Sequence, residues 1–178
     1  LYADGNRLSY VNVYYGGGLT GERAGAVALT RGSALQFDHL DVRHSLNAGI
    51  YSSGFALHLV DSTVIGNRIG VQFNGSHGVL RRNTIRSNTE AGVINDDPDK
   101  ICVDAVGNYW GATNGPEDTS DAADACNIAT TNPGNGDGVS DGVRYEPWLA
   151  AATGSELMDA SRITPEDTWV IADGVQTT

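Results

Sequence analysis

The chain has 178 residues, of which 40% are hydrophobic and 19% charged, with 11 Lys plus Arg against 22 Asp plus Glu. The imbalance sits in one half: residues 1–90 carry 8 basic and 6 acidic side chains, residues 91–178 carry 3 and 16. With no basic stripe to neutralise phosphates, nucleic acid is excluded as a partner, and with no apolar run near the length of a bilayer span, membrane insertion is not expected.

The first element in chain order is a short alternating run, Leu8-Ser-Tyr-Val-Asn-Val13, followed by Gly16-Gly-Gly18. Alternation over a few residues, rich in β-branched side chains and broken by Gly, Asn and Ser, reads as strand rather than helix. The same reading applies to Leu35–Phe37 with Leu40–Val42, to Leu57–Leu59 with Thr63–Ile65, and to Val79–Leu80 with Thr84–Ile85. Between these runs a glycine-aliphatic pair recurs at Gly25 (Gly25-Ala26-Val27), Gly49-Ile50, Gly70-Val71 and Gly92-Val93. A repeat of this length is the mark of a stacked-coil fold. Each period then holds about three short strands, and like residues stack on like. The expected inward columns are Val13/Val42/Val64/Ile85 and Val27/Ile50/Val71/Val93. Asn67 and Asn88 take equivalent turn positions and are expected to form an amide ladder. The expected class is all-β: a right-handed parallel β-helix of about five coils over residues 1–150, with a loop excursion at 112–142. Residues 151–178 read as a linker and a strand-like tail.

The repeats from Tyr10-Val-Asn-Val13 through Gly92-Val-Ile94 resemble those of the pectate-lyase-like parallel β-helices. Gly107-Asn-Tyr-Trp-Gly111, Gly115-Pro116 and Tyr145-Glu-Pro-Trp-Leu149 look like the closing segment of such modules in large secreted bacterial surface proteins. Ile163–Val175 resembles an opening β-helix strand. The resemblance implies a secreted or cell-surface location, as do the single lysine, Lys100, and the abundance of Gly, Asn, Asp, Ser and Thr. A start at Leu1 reads as a mature or excised piece.

Cys102 and Cys126 flank the Asn-Tyr-Trp-Gly motif, and a disulfide between them would staple the loop at ~3 kcal/mol on a chain-entropy estimate. Two buried thiols are the alternative. In the acidic loop Asn135, Asp137 and Asp141 alternate as oxygen ligands for calcium would, but the closing bidentate Glu of a full loop is missing. A solvated Asp-Gly turn is the simpler reading, so no cofactor is assigned with certainty and calcium stays an alternative. For acid/base catalysis the candidates are Asp38, Asp41 and Asp61 on the outer face. Ser76-His77-Gly78 and Asn95-Asp96-Asp97 are similar to acid/base motifs of hydrolases with this fold, but in the reverse order. Tyr14, Tyr15, Tyr51 and Phe73 are candidates for stacking on sugar rings or for core packing.

A non-catalytic structural role is expected: an adhesin, scaffold or filament subunit whose partners are copies of itself or neighbouring modules. In the filament version the tail strand, through Trp169, Val170, Ile171 and Val175, completes a coil of the next unit. The alternative is a carbohydrate-active module that binds or cleaves a polysaccharide.

Overall fold

The computed structural model describes residues 7–17, 25–30, 34–54, 56–119, 125–126 and 131–152, together with strand assignments at 157–158, 170–172 and 175–177. Three parallel sheets wind around one apolar axis, and no helix occurs among the described residues.

The first sheet contains β1 (Arg7–Ser9), β4 (Leu35–Asp38), β7 (Leu57–Val60), β10 (Gly78–Arg81), β13 (Val103–Asp104) and β16 (Val143–Arg144), in that order. The second contains β2 (Asn12–Tyr14), β5 (Asp41–Arg43), β8 (Thr63–Ile65) and β11 (Thr84–Arg86). The third contains β3 (Gly25–Thr30), β6 (Ala48–Ser53), β9 (Ile69–Asn74) and β12 (Ala91–Asn95). Every third strand in sequence is thus a neighbour in space, which is the topology of a parallel β-solenoid.

The expected columns are the observed ones. Val13, Val42, Val64 and Ile85 are paired in register, as are Val27, Ile50, Val71 and Val93. Val42, Val64, Ile85, Ile50, Val71 and Val93 are all 0% exposed. Fully burying one such side chain contributes roughly 1.5–3 kcal/mol, and the interior repeats that gain at every coil. The regular part is shorter than the five coils expected from the sequence. The second and third sheets hold four strands each, so the prism rises through about three inter-coil steps. Beyond β11 and β12 the second and third sheets thin to single bridges, Thr84 to Tyr109 and Val93 to Val139, while the first sheet continues through β13 and β16.

The recurring glycines sit where the coils come closest. A Cβ on Gly49 would lie 2.8 Å from the Asn67 amide nitrogen, and one on Gly70 would lie 2.4 Å from the Gly92 carbonyl oxygen. Neither residue has a positive φ, so it is close approach and not turn geometry that demands glycine there.

The excursion carries its own two-stranded antiparallel piece, β14 (Glu117–Asp118) with β15 (Asn132–Pro133). The chain is back on the coil by Asp137, whose N–H donates to the Trp110 carbonyl at 2.7 Å, and Gly92 N–H then donates to Gly138. Trp110, Tyr145 and Trp148 close this end of the core, at 0%, 1% and 0% exposure. At the end of the coil region β17 (Trp148–Leu149) pairs antiparallel with β18 (Leu157–Met158), which lies past the expected linker. In the tail, β19 (Val170–Ala172) pairs antiparallel with β20 (Val175–Thr177). Val170, Ile171 and Val175 therefore belong to a hairpin and not to a single unpaired strand. Trp169 lies outside the described residues.

Candidate functional site

The candidate chemistry lies at the corners of the prism. The first corner, between the first and second sheets, stacks Tyr10, His39, Asp61 and Arg82, all with φ between 50° and 57°. The second stacks Tyr15, His44, Gly66 and Ser87, with φ between 55° and 68°. Left-handed backbone costs a residue with a Cβ roughly 1–2 kcal/mol. Here every coil must turn at the same place, so the position is imposed by the stack.

Asp38 is turned into the first corner and is 2% exposed. It forms an ion pair with Arg7, accepts from the Ser9 hydroxyl at 2.9 Å and meets His39 Nδ1 at 3.0 Å. The Arg7 guanidinium, aided by His39 and Ser9, holds its carboxyl well below the usual carboxylate range. Asp41 accepts from the Tyr14 hydroxyl at 2.7 Å and from Arg43, and its carboxylate pushes both the Tyr14 hydroxyl and the Arg43 guanidinium up. Asp61 receives a two-pronged bond from Arg82, at 2.8 Å from Nε and 2.7 Å from Nη2. Asp104, half-buried, is shared by Arg81 and Arg144; burial opposes its charge but the two guanidiniums outweigh that and hold it low. The three carboxylates proposed as acids therefore each hold an arginine, and for Asp38 and Asp61 that arginine lies on an adjacent coil. A general acid needs a proton to give near neutral pH, and an ion-paired Asp of lowered pKa, such as Asp38, has none.

Beneath each corner runs a ladder of buried amides. At the second corner, Ser45 N–H donates to Asn67 Oδ1 at 2.9 Å, and Asn67 N–H and Nδ2 donate to Asn88 Oδ1 at 2.9 and 3.0 Å. Asn88 N–H and Nδ2 donate in turn to Asp137 Oδ2, at 2.9 and 2.7 Å. The expected Asn67–Asn88 pair is thus the middle of a longer chain. A second ladder under the first corner has no counterpart in the sequence reading: Leu40 N–H donates to Ser62 Oγ, Ser62 N–H to Asn83 Oδ1, and Asn83 Nδ2 to Asn108 Oδ1 at 2.9 Å. Ser62 and Asn83 stand 21 residues apart, the period of the aliphatic columns, which was the signal available, whereas Asn108 follows after 25 and falls off it.

Asp137, proposed as a calcium ligand with Asn135 and Asp141, instead ends the amide ladder. Burial pushes its carboxyl up, against the lowering effect of the Asn88 bonds. Asn135 N–H donates to Asn114 Oδ1 at 3.1 Å. Among the described residues no group of three or more His, Cys, Asp or Glu is placed to hold a metal ion. Cys102 and Cys126 are joined in a disulfide. Ser76 Oγ donates to the Ser52 carbonyl at 2.9 Å, and Asp97 Oδ2 accepts Gly75 N–H at 2.7 Å, so both join neighbouring coils where the chain leaves the third sheet.

Of the aromatic candidates, Phe73 is core at 0% exposure, and Tyr51 is buried on the outer face of the third sheet with Ala48 and Ile69. Tyr14 and Tyr15 are exposed. Tyr15 stacks on His44 at 5.0 Å between ring centroids, and Tyr10 on His39 at 4.5 Å. A recess of about 400 Å³ opens beside the second corner between Tyr15, His44, Leu46, Arg68 and Thr89.

Fold and corners together define a parallel β-solenoid whose polar side chains mainly bind one coil to the next. No protein-family model, curated protein or solved structure matches the chain. No helix among the described residues is long and apolar enough to cross a membrane.

Proposed function

We propose that the chain is a non-catalytic structural or adhesive solenoid module of an extracellular or cell-surface scaffold, of the kind its pectate-lyase-like repeats resemble. One observation carries this reading: Asp38, Asp41 and Asp61 are all engaged with arginines, so the outer-face chemistry is directed at cohesion. The Cys102–Cys126 disulfide is consistent with an oxidising compartment. In the filament version, the outer edges of the β19–β20 hairpin offer strand pairing to a neighbouring unit. The test is a screen of uronate-containing and neutral polysaccharides, with and without calcium, read for unsaturated products and new reducing ends. No turnover is expected. Turnover lost in Asp61→Asn, with the fold intact, would overturn the proposal.

A second reading has its own observation, the exposed Tyr15 ring over His44 beside the recess at Leu46 and Arg68. An aromatic face beside hydrogen-bonding groups suits a sugar ring, making this a glycan-binding surface. Retention on immobilised glycans that disappears in Tyr15→Ala would support it.

A further inference from the structure

The two ends of the prism differ. At the far end Trp110, Tyr145 and Trp148 plug the core, Val139 N–H is taken by the Glu117 carbonyl, and Leu149 is paired with Leu157. At the near end β1, β2 and β3 are each the last strand of their sheet, with no further strand on the outer side among the described residues. Half of the backbone N–H and C=O groups along such an edge have no ladder partner.

The apolar columns are also cut open there. Leu8 is 38% exposed, while its column mates Phe37 and Leu59 are 2% and 0%. Val13 and Val27 are only partly buried, although every residue below them in their columns is fully buried. Tyr10 and Tyr15, 76% and 80% exposed, each cover a histidine with one ring face and leave the other uncovered toward the open end. The strand edges, apolar columns and corner stacks all break off at the same level.

The geometry points to this face as the docking surface for one more parallel β-coil. That coil would bring three short strands parallel to β1, β2 and β3, aliphatic side chains above Leu8, Val13 and Val27, and left-handed residues above Tyr10 and Tyr15. It would repeat the relation in which β1 already sits on β4 and β2 on β5. The tail hairpin does not fill this face, because β19 and β20 run antiparallel and an outer edge of the hairpin pairs with one strand at most, not with three. The far end of a second copy is also wrong, since two of its three edges are already covered. The inference rests on the structural reading and names the partner of its open end: the molecule terminates a solenoid on one side and receives one on the other.

The test is a variant in which residues 1–6 are replaced by a second copy of residues 35–57, so that Arg7 follows the copied Leu57 as His58 does in the natural chain. This places strands with the sequences of β4, β5 and β6 ahead of β1 and keeps the natural β6-to-β7 connection. Amide hydrogen exchange and thermal melting are compared with the natural chain. Exchange at the open-edge amides of β1–β3 should slow about tenfold or more, and the melting midpoint should rise. A control extension with Asp at the copied Val42 and Ile50 positions should do neither. Unchanged exchange at β1–β3, with the added residues exchanging as unfolded chain, would overturn the proposal. So would sedimentation showing that the natural chain dimerises through this end and dissociates in Tyr10→Asp, which would make the occupant a second copy. Polysaccharide turnover would sink the structural reading but leave the exchange result standing, so the two failures are separable.

Discussion

Asp137 occupies a site where its neighbours on the ladder are Asn67 and Asn88. The difference is chemical: an Asn at this point must place an amide that both accepts from the coil before and donates onward, while the last member needs only to accept. The Asp137 carboxylate receives both Asn88 bonds. Removing it leaves two buried donors without a partner, at about 1–3 kcal/mol. Asp137→Ala should therefore lower the urea midpoint by that equivalent, whereas Asp137→Asn should cost less than about 1 kcal/mol, since its Oδ1 can accept both bonds. Equal losses in the two variants would mean that charge, not acceptance, matters. Asp38 gives a pH prediction of definite sign. Its folded-state pKa is depressed by Arg7, His39 and Ser9, so its stabilisation is complete above the unfolded Asp value of about 3.9 and is lost as pH falls below it. Asp38→Asn should lower stability at pH 6 and flatten the loss between pH 4 and 2, as followed by urea unfolding. At this scale the sequence was half legible. Asn67 and Asn88 could be placed because they lie in the regular repeats. Asp137 could not, because the excursion removes it from the period and its Asn-Gly-Asp-Gly surroundings imitate an ion-binding loop.

The glycine-aliphatic pairs act at the scale of the strand. They mark the entry to each strand of the third sheet, where the chain turns inward and touches the next coil. The positions were readable from their spacing, but their cause was not, because period alone does not separate a turn with positive φ from a close approach. The left-handed corners were not readable either. Seven of the positive-φ residues carry a side chain, among them Tyr10, His39, Asp61 and Arg82, and only the His and Asp members are types enriched there. Gly70→Ala would place a methyl group 2.4 Å from the Gly92 carbonyl oxygen. Backbone on both sides cannot yield as a side chain would, so the cost should be about 1–3 kcal/mol or more, visible as a lower melting midpoint. Gly54→Ala is the comparison. A Cβ there meets nothing within 4 Å, so any cost comes from its φ of +82° alone, and an unchanged midpoint in Gly70→Ala would show that the close approach relaxes without loss. The disulfide works on a different element. It ties the excursion to the coil beside Val103, across a separation of 24 residues. Reduction should cost ~3 kcal/mol on the chain-entropy estimate, read as a shift of the urea midpoint with and without reductant.

For the whole molecule, the apolar columns decide how stability is distributed. In a stacked-coil protein each coil contacts only its neighbours, so an interior coil is supported from two sides and a terminal coil from one. That architecture was legible because the columns repeat in the sequence. The candidate site was less legible, because the pairing of Asp38 with Arg7 or Asp61 with Arg82 joins residues on different coils. Only the register decides whether an outer-face carboxylate meets an arginine or water. Val13 and Val64 offer a clean comparison, being the same residue in the same column. Val64 is 0% exposed with neighbours above and below, while Val13 is partly buried with the column open on one side. Val64→Ala removes two buried carbons and leaves a cavity, at about 2 kcal/mol. Val13→Ala removes the same carbons from a site that water already reaches and should cost less than about 1 kcal/mol. Equilibrium urea unfolding of both variants, with m-values checked for constancy, measures the difference. Equal costs would show that the first coil is as well covered as the middle one, and the end would then not be open.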